Sequence, residues 1–374
     1  MPLVSELMLR EFRGYPQVDI HLQKPGIHLV WGRNGQGKTS ILEALYFGAF
    51  LRSFRTSMVA EMVREGAENF EIAIRLDDHE NASIDDRLFI RMGKDKALRR
   101  NGQDIRRASD FINRFVCIAL VPEDIDLISG APGRRRQFMD MLLTQLDHHH
   151  LVHLAAYREA LRSRNALFRR KVSPDAASAS AFAGLLARHG SAIMRARRQL
   201  ATQINDMLTA HAPDVIDNSA AVRIEYKPNC RIHGDNDEEN AQQLKTNINR
   251  NWDRDLRQGC TTTGPHRDDF VVCFEQRSIT TYGSQGERRL SGILLKMASL
   301  HLVNKVYEGR RPILLLIDDV LGDLDAERRL AFLNSLHGAD QTILVQTGPP
   351  ESADLPSDPA EIHHVVNRTV TSQL

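Results

Sequence analysis

The stretch Gly26-Ile27-His28-Leu29-Val30-Trp31, followed by Gly32-Arg33-Asn34-Gly35-Gln36-Gly37-Lys38-Thr39, decides the fold. Its second half is a complete G-x-x-x-x-G-K-[ST] match. An apolar run that reads as a strand precedes it, and Ile41, Leu42, Leu45 and Phe50 recur behind it as on a helix. Strand, glycine turn and helix in that order make a phosphate cradle. The glycines let backbone N–H groups turn inward, and the helix directs its positive end at the phosphates. Lys38 reaches the terminal phosphates and the Thr39 hydroxyl takes a position on Mg²⁺. Residues Gly32, Arg33, Asn34, Gly35, Gln36, Gly37, Lys38 and Thr39 are therefore expected to bind a nucleotide, ATP.

Such a loop needs a carboxylate on a neighbouring strand. Ile313-Leu314-Leu315-Leu316-Ile317 reads as a buried parallel strand and ends in Asp318-Asp319. Asp318 is expected in the metal shell, and Asp319 stands where a carboxylate would orient or deprotonate the attacking water, although Glu is commoner there. The shorter side chain predicts slow turnover, suited to a timing switch. A helix cap is the alternative use of such an Asp pair. The separation of Lys38 from Asp318 far exceeds what a compact nucleotide kinase needs, so a large segment is inserted between them. Just upstream of the Asp pair, Ser284-Gln285-Gly286-Glu287 opens a segment with Leu290, Ile293, Leu294, Met297 and Leu300 at helical spacing. Read alone it is an N-capped helix. Together with the loop it suggests a second phosphate cradle, reached in a head-to-head dimer where each copy's Ser284, Gln285 and Gly286 complete the other's ATP site.

The rest of the chain bounds this reading. At 374 residues it can hold two domains, and 42% apolar with 26% charged residues is ordinary for a folded soluble protein. Lys plus Arg (49) nearly cancels Asp plus Glu (48), so a net charge of +1 supplies no global attraction for nucleic acid. DNA contacts would have to be local. The four cysteines form no C-x-x-C pair, which argues against a disulfide framework or zinc knuckle and suggests a reducing cytoplasm. Charges interrupt the N-terminal apolar residues, and no long uncharged apolar run occurs, so neither a signal peptide nor a membrane span is expected.

Strand signals dominate early, at 26–31, 70–76, 87–92 and 115–121, interrupted by one clear helix from Lys38. From 134 to about 211 the pattern turns helical. There Leu186, Ile193, Leu200 and Met207 fall seven apart, which suits a coiled-coil-like arm or, equally, an amphipathic helix packed on its own domain. Ser173-Pro174-Asp175 reads as a helix–helix loop, and strand signals return at 222–226. The expected architecture is an α/β ATPase head split between residues 1–120 and 261–374, with a helical lobe at 121–260.

The order of phosphate loop, helical insertion, S-Q-G helix, aspartate-ended strand and Leu321-Gly322-Asp323-Leu324-Asp325 resembles the ABC-type ATPase heads of the SMC and Rad50 class. Three further stretches resemble the RecF family within it. They are Leu51-Arg52-Ser53-Phe54-Arg55-Thr56, Val121-Pro122-Glu123-Asp124-Ile125 running on through Gly133-Arg134-Arg135-Arg136, and Thr263-Gly264-Pro265-His266-Arg267-Asp268-Asp269. The resemblance implies a weak, DNA-stimulated ATPase that dimerises on ATP and binds duplex DNA near single-strand gaps without sequence specificity. It also implies work with RecR and RecO to place RecA, and a part in replication restart and SOS induction. It carries over ATP binding to Gly32–Thr39, Mg²⁺ to Thr39 and Asp318, hydrolysis to Asp319 and Lys38, and capping of the partner's γ-phosphate to Ser284, Gln285 and Gly286. The sequence departs from the pattern at Gly322-Asp323, where Ser-Glu is expected, in lacking an obvious Gln after the 115–121 strand, and at Gln346-Thr347 in place of a switch histidine. A transporter's ATP-binding subunit and an ATP-binding scaffold that scarcely hydrolyses are the rival readings. The long helical insertion and the missing switch histidine speak against the first.

Candidate phosphate contacts are Arg134, Arg135 and Arg136, Arg195, Arg197 and Arg198, and Arg162, Arg164, Arg169, Arg170 and Lys171. A solvated or ion-paired face is the alternative for each. Adjacent histidines at 148–150 point in different directions on a helix, so they read as a surface helix end. His266 and Arg267 stand near the nucleotide or the dimer seam, or form a salt-bridged turn.

Overall fold

The computed structural model describes residues 3–78, 85–169, 176–211, 222–234, 236–275, 277–320, 326–336, 338–349 and 360–373. The chain divides into two compact units. One comprises 1–124, 209–220 and 293–374; the other comprises 125–208 and 221–292. The elements run β1 (Leu3–Phe12), β2 (Tyr15–His21), β3 (Gly26–Trp31), α1 (Lys38–Phe50), β4 (Asn69–Asp77), β5 (Asp85–Gly93), β6 (Ala97–Arg100), β7 (Gln103–Asp104), α2 (Ala108–Phe111) and β8 (Val116–Leu120). Then come α3 (Ile125–Ser129), α4 (Pro132–Leu146), α5 (His148–Arg169), α6 (Ala176–His211), β9 (Val222–Lys227), α7 (Asp237–Arg250), α8 (Trp252–Gln258), β10 (Asp269–Phe274), β11 (Arg277–Ser278), α9 (Ile279–Tyr282) and α10 (Gln285–Tyr307). The chain closes with β12 (Ile313–Asp318), α11 (Ala326–Asn334), β13 (Gln341–Gln346), β14 (Glu361–Val366) and β15 (Thr369–Gln373).

The first unit holds two six-stranded sheets, β2-β1-β4-β5-β6-β7 and β15-β14-β3-β13-β12-β8. The former is antiparallel, and β4 shows why: its residues alternate between buried and half-buried, the pattern of a strand with one covered face. In the latter, β14, β3, β13, β12 and β8 run parallel, and β12 is buried along its whole length, as an Ile-Leu-Leu-Leu-Ile run in a covered parallel sheet should be. Helix α1 touches β1 and β4 of one sheet and β8, β12 and β13 of the other, and eleven of its thirteen residues are buried. Burial on all sides explains why it carries almost no polar stripe. Both parallel neighbours of β3 bring their C-terminal ends to the loop that follows Trp31, where open α/β sheets place ligands.

The second unit is mainly helical, with a small sheet β11-β10-β9. Leu186, Ile193, Leu200 and Met207 of α6 are all buried. Leu186 and Ile193 share a core with Leu154, Tyr157 and Ala160 of α5 and Leu244 and Ile248 of α7. Of the two uses foreseen for the sevenfold spacing, packing within its own unit is the one observed for this part of α6.

Residues 261–292, placed with the head by the sequence pattern, fall in the second unit together with the first turns of α10. The reason is side-chain pairing: Arg135 binds Asp269, and Arg197 binds Asp268, tying this segment to α4 and α6. Strands β1 and β2 were not foreseen. The loop 321–325, the linker 173–175, Arg170 and Lys171 lie outside the described residues. Among the described residues no helix is long and apolar enough to cross a membrane.

Candidate nucleotide site

Strand β3 delivers the chain at Gly32, and α1 begins at Lys38 with Gly37 as its N-cap, at φ 108° and without a side-chain cap. Only glycine adopts that backbone freely, and a Cβ on Gly37 would stand 2.8 Å from Tyr15 Oη. No side chain caps the first turn of α1, where Ser40 N–H donates to the Gly37 carbonyl at 2.9 Å, and the helix turns its positive end to the loop, as anion-binding helices do. Arg33, Asn34 and Gly35 are exposed. Gln36 Oε1 accepts from the Asn367 N–H at 2.5 Å, fastening the loop to the turn between β14 and β15.

The buried Lys38 ammonium donates to the carbonyls of Gly32 (2.7 Å) and Arg33 (2.9 Å). Burial pulls its pKa down, while Asp319 and Asp318 push it back up. Thr39 Oγ1 donates to Asp318 Oδ1 at 3.1 Å, so the two expected metal ligands meet. Burial pushes the Asp318 carboxyl upward; the Thr39 bond and Arg55 oppose this, and Glu123 and Asp319 add to it. The Thr39 hydroxyl and the Asp318 carboxylate, in the negative field of Glu123 and Asp319, offer oxygen donors that suit a hard divalent cation, so the residues fit Mg²⁺. Asp319 sits in the left-handed region at φ 49°, with its N–H donating to Val345 O at 3.3 Å. Aspartate tolerates this conformation better than most residues, and the turn directs the chain away from β12.

Several contributors were missed in the sequence. Glu123, in the turn that follows β8, adds its charge to the field on Asp318. Glu43 of α1, fully buried, is gripped by Arg13 through two hydrogen bonds of 2.8 and 2.5 Å, and takes Ser53 Oγ at 2.5 Å and Arg55 at 3.4 Å. This network anchors the Leu51–Thr56 segment, whose only advance signal was its family resemblance. Gln346, at the end of β13, bonds Gly348 O at 3.0 Å.

Ser284, Gln285 and Gly286 are all exposed at the start of α10. Ser284 Oγ accepts from Glu287 N at 3.2 Å while Glu287 Oε2 accepts from Ser284 N at 2.6 Å, a reciprocal capping box. A Cβ on Gly286 would meet nothing within 4 Å.

The arginine clusters divide. Arg164 is fully buried, bonding Asp255 at 2.7 Å and Thr261 Oγ1 at 2.8 Å. Arg197 is buried between Asp140 and Asp268, and Arg135 is buried against Asp269. These three are internal ties and are corrected as phosphate contacts. Arg195 pairs with Asp237 at the surface, while Arg134, Arg162, Arg169 and Arg198 are exposed. His150, expected at a surface helix end, is buried and reaches Asp140 at 3.3 Å. His266 bonds Tyr157 and the Thr261 carbonyl, an internal tie of the second unit.

A family model described as RecF/RecN/SMC N terminal domain matches residues 3–349. The "DNA replication and repair protein RecF" of Leptospira interrogans is 31% identical over 345 residues, covering 92% of this chain and 91% of its own. That of Clostridium novyi is 31% identical over 369 residues, covering 98% and 99%. Among solved structures, a recombination mediator protein RecF with ATP in the RecFOR pathway superposes with a TM-score of 0.89 at 22% identity, over 100% of this chain and 98% of that one. The Smc head domain of Pyrococcus furiosus superposes at 0.55 with 15% identity, over 100% and 96%. With an ABC-type head around a phosphate loop and relatives matched along almost their whole length, the chain belongs to the RecF family of the RecF/RecN/SMC proteins.

Proposed function

We propose that this protein is an ATP-switched DNA-repair factor of the cytoplasm. ATP binds at Gly32–Thr39, with Lys38 exchanging its loop carbonyls for the β- and γ-phosphates. Thr39 and Asp318 hold Mg²⁺, which neutralises charge on the phosphates when bound, and Asp319 orients or deprotonates the attacking water. The observation that carries this reading is the Thr39–Asp318 contact beside the buried Lys38. It sets a hydroxyl and a carboxylate together at the start of a helix that no side chain caps, beside a buried ammonium.

The exposed Ser284-Gln285-Gly286 turn supports a head-to-head dimer in which it caps the γ-phosphate held by a second copy. ATP then favours the dimer, and hydrolysis, weak and stimulated by DNA, releases it. The names of the relatives, DNA replication and repair protein RecF, and of the solved RecF in the RecFOR pathway support duplex DNA near single-strand gaps as ligand. They also support RecR and RecO as partners, with RecA loading, replication restart and SOS induction downstream.

Mixing two inactive variants tests the composite site. Lys38→Met removes the phosphate ligand and Ser284→Arg blocks the cap. If the site is shared between copies, a mixture recovers ATP turnover that neither variant shows alone, because one intact site forms per mixed dimer. A mixture as inactive as its parts would contradict it.

A further inference from the structure

On the parallel strands β3 and β14, His28 pairs in register with Glu361, and His363 lies two residues further along β14. The twofold period of a strand therefore sets all three side chains on one face of the sheet. His28 and His363 are fully buried and Glu361 is 9% exposed. Each offers a ligand atom, and these lie within 4.8 Å of one another. Glu361 Oε2 is 3.2 Å from His28 Nδ1, close enough to lower the Glu361 pKa against the burial that raises it, and 3.6 Å from His363 Nε2. Neither approach has good hydrogen-bond geometry, and the three buried atoms find no other partner.

The outer atoms of both rings are already committed. His28 Nε2 meets the Lys24 carbonyl at 2.8 Å, which can only accept, so the proton of the neutral ring sits on Nε2 and Nδ1 presents a lone pair to the carboxylate. His363 Nδ1 meets Ser372 Oγ at 2.9 Å, across from it on β15. The Ser372 hydroxyl can donate or accept, so the His363 tautomer is not fixed by it, but the His28 lone pair facing a buried carboxylate oxygen is costly unless a cation lies between them. One proton could bridge one histidine to Glu361, whereas one metal ion serves all three atoms.

We propose that His28, Glu361 and His363 form a structural site for a divalent transition-metal ion, best met by Zn²⁺. Two imidazole nitrogens and a carboxylate oxygen are ligands zinc accepts, and bonds of about 2.0–2.1 Å in a tetrahedron separate neighbouring ligand atoms by about 3.3 Å. The two observed histidine–carboxylate separations bracket that value. The Lys24 carbonyl and Ser372 hydroxyl are the orienting partners that metal-bound histidines require. Mg²⁺ at Thr39 and Asp318 calls for oxygen donors, so the two sites select different ions. The ion would staple the β14–β15 hairpin to the strand that feeds the phosphate loop, the same hairpin whose Asn367 N–H holds Gln36.

The test uses the full chain, stripped with chelator and free of nucleotide. Zn²⁺ is titrated against a chromophoric chelator, and Co²⁺ is followed by its visible absorption. The expected result is one ion per chain with a low-coordinate Co²⁺ spectrum, and an affinity lowered at least about 100-fold in Glu361→Gln and in His363→Gln. Asp318→Asn, in the nucleotide site, should bind Zn²⁺ as the parent does. Failure of the parent chain to bind Zn²⁺, or equal binding by folded Glu361→Gln and His363→Gln chains, would overturn the proposal and leave a proton-sharing cluster. These readouts involve no ATP, so they stand or fall apart from the nucleotide switch.

Discussion

Thr39 and Asp318, 279 residues apart in the chain, meet through a 3.1 Å hydrogen bond from Oγ1 to Oδ1. The contact joins the first turn of α1 to the end of β12, and it places hydroxyl and carboxylate where one cation could take both.

Removing either partner should therefore weaken Mg²⁺-dependent ATP binding with little change in fold. A charge-assisted hydrogen bond or ligand of this kind is worth about 1.5–3 kcal/mol, or about 10–100-fold. Titration of fluorescent ATP into Thr39→Ala and Asp318→Asn, with and without Mg²⁺, reads this. A loss that is equal in both conditions would remove these residues from the metal shell.

Glu43 is fully buried and Arg13 is its main counter-charge. Arg13→Ala leaves that carboxylate with only Arg55 at 3.4 Å and the Ser53 hydroxyl, and should cost up to about 3 kcal/mol in denaturant unfolding. Glu43→Gln together with Arg13→Met should recover much of it, since the charge and its partner leave together. Additive losses would show that the pair is not coupled.

Arg164 and Arg195 offer a sharper contrast, because both stood among the candidate DNA contacts. Arg164, inside the lobe with Asp255, should cost about 3–5 kcal/mol of stability when changed to Ala. Arg195, exposed with Asp237, should cost less than about 1 kcal/mol. Of the described arginine candidates, the exposed Arg134, Arg162, Arg169, Arg195 and Arg198 are the ones whose neutralisation should reduce the salt dependence of the proposed DNA binding without loss of fold. An unchanged slope after neutralising all five would place the DNA surface elsewhere.

Acid should destabilise the second unit in two steps. Burial holds His266 at about 4, below its ordinary 6.5. The unfolded chain therefore takes up a proton first, and stability falls as pH drops from about 6.5 to about 4. Burial pushes the Asp140 carboxyl up, but Arg197 and His150 pull it further down, to about 2 from 3.8. Its contribution is complete above pH 3.8 and is lost as pH falls through about 2. Thermal midpoints measured across pH 7 to 4 should show the first step, flattened in His266→Gln. A His266 ring titrating near 6.5 by NMR would contradict it.

What the sequence discloses depends on how local the determinant is. Gly32–Thr39 and the Ile313–Asp318 run carry their geometry within a few residues, so the loop, β3, α1 and β12 were legible. Strand β1 was not: Leu3, Val4 and Ser5 are buried in succession, and a register shift between Val4 and Glu6 breaks the twofold alternation. Arg135, Arg164 and Arg197 looked like surface because their acids, Asp269, Asp255 and Asp268, are distant in sequence. His28 and Glu361 escaped for the same reason, since only the pairing of β14 with β3 brings them together. The Glu-Ile-His alternation at 361–363 was the one local hint.

ATP at Lys38 is proposed to switch DNA binding. Anisotropy of a labelled gapped duplex, titrated with ATP, with ADP and without nucleotide, tests it most directly, with blunt duplex and Lys38→Met for comparison. Binding is expected to require ATP, to favour the gap and to disappear in Lys38→Met. Binding of equal strength in all three nucleotide conditions would contradict it.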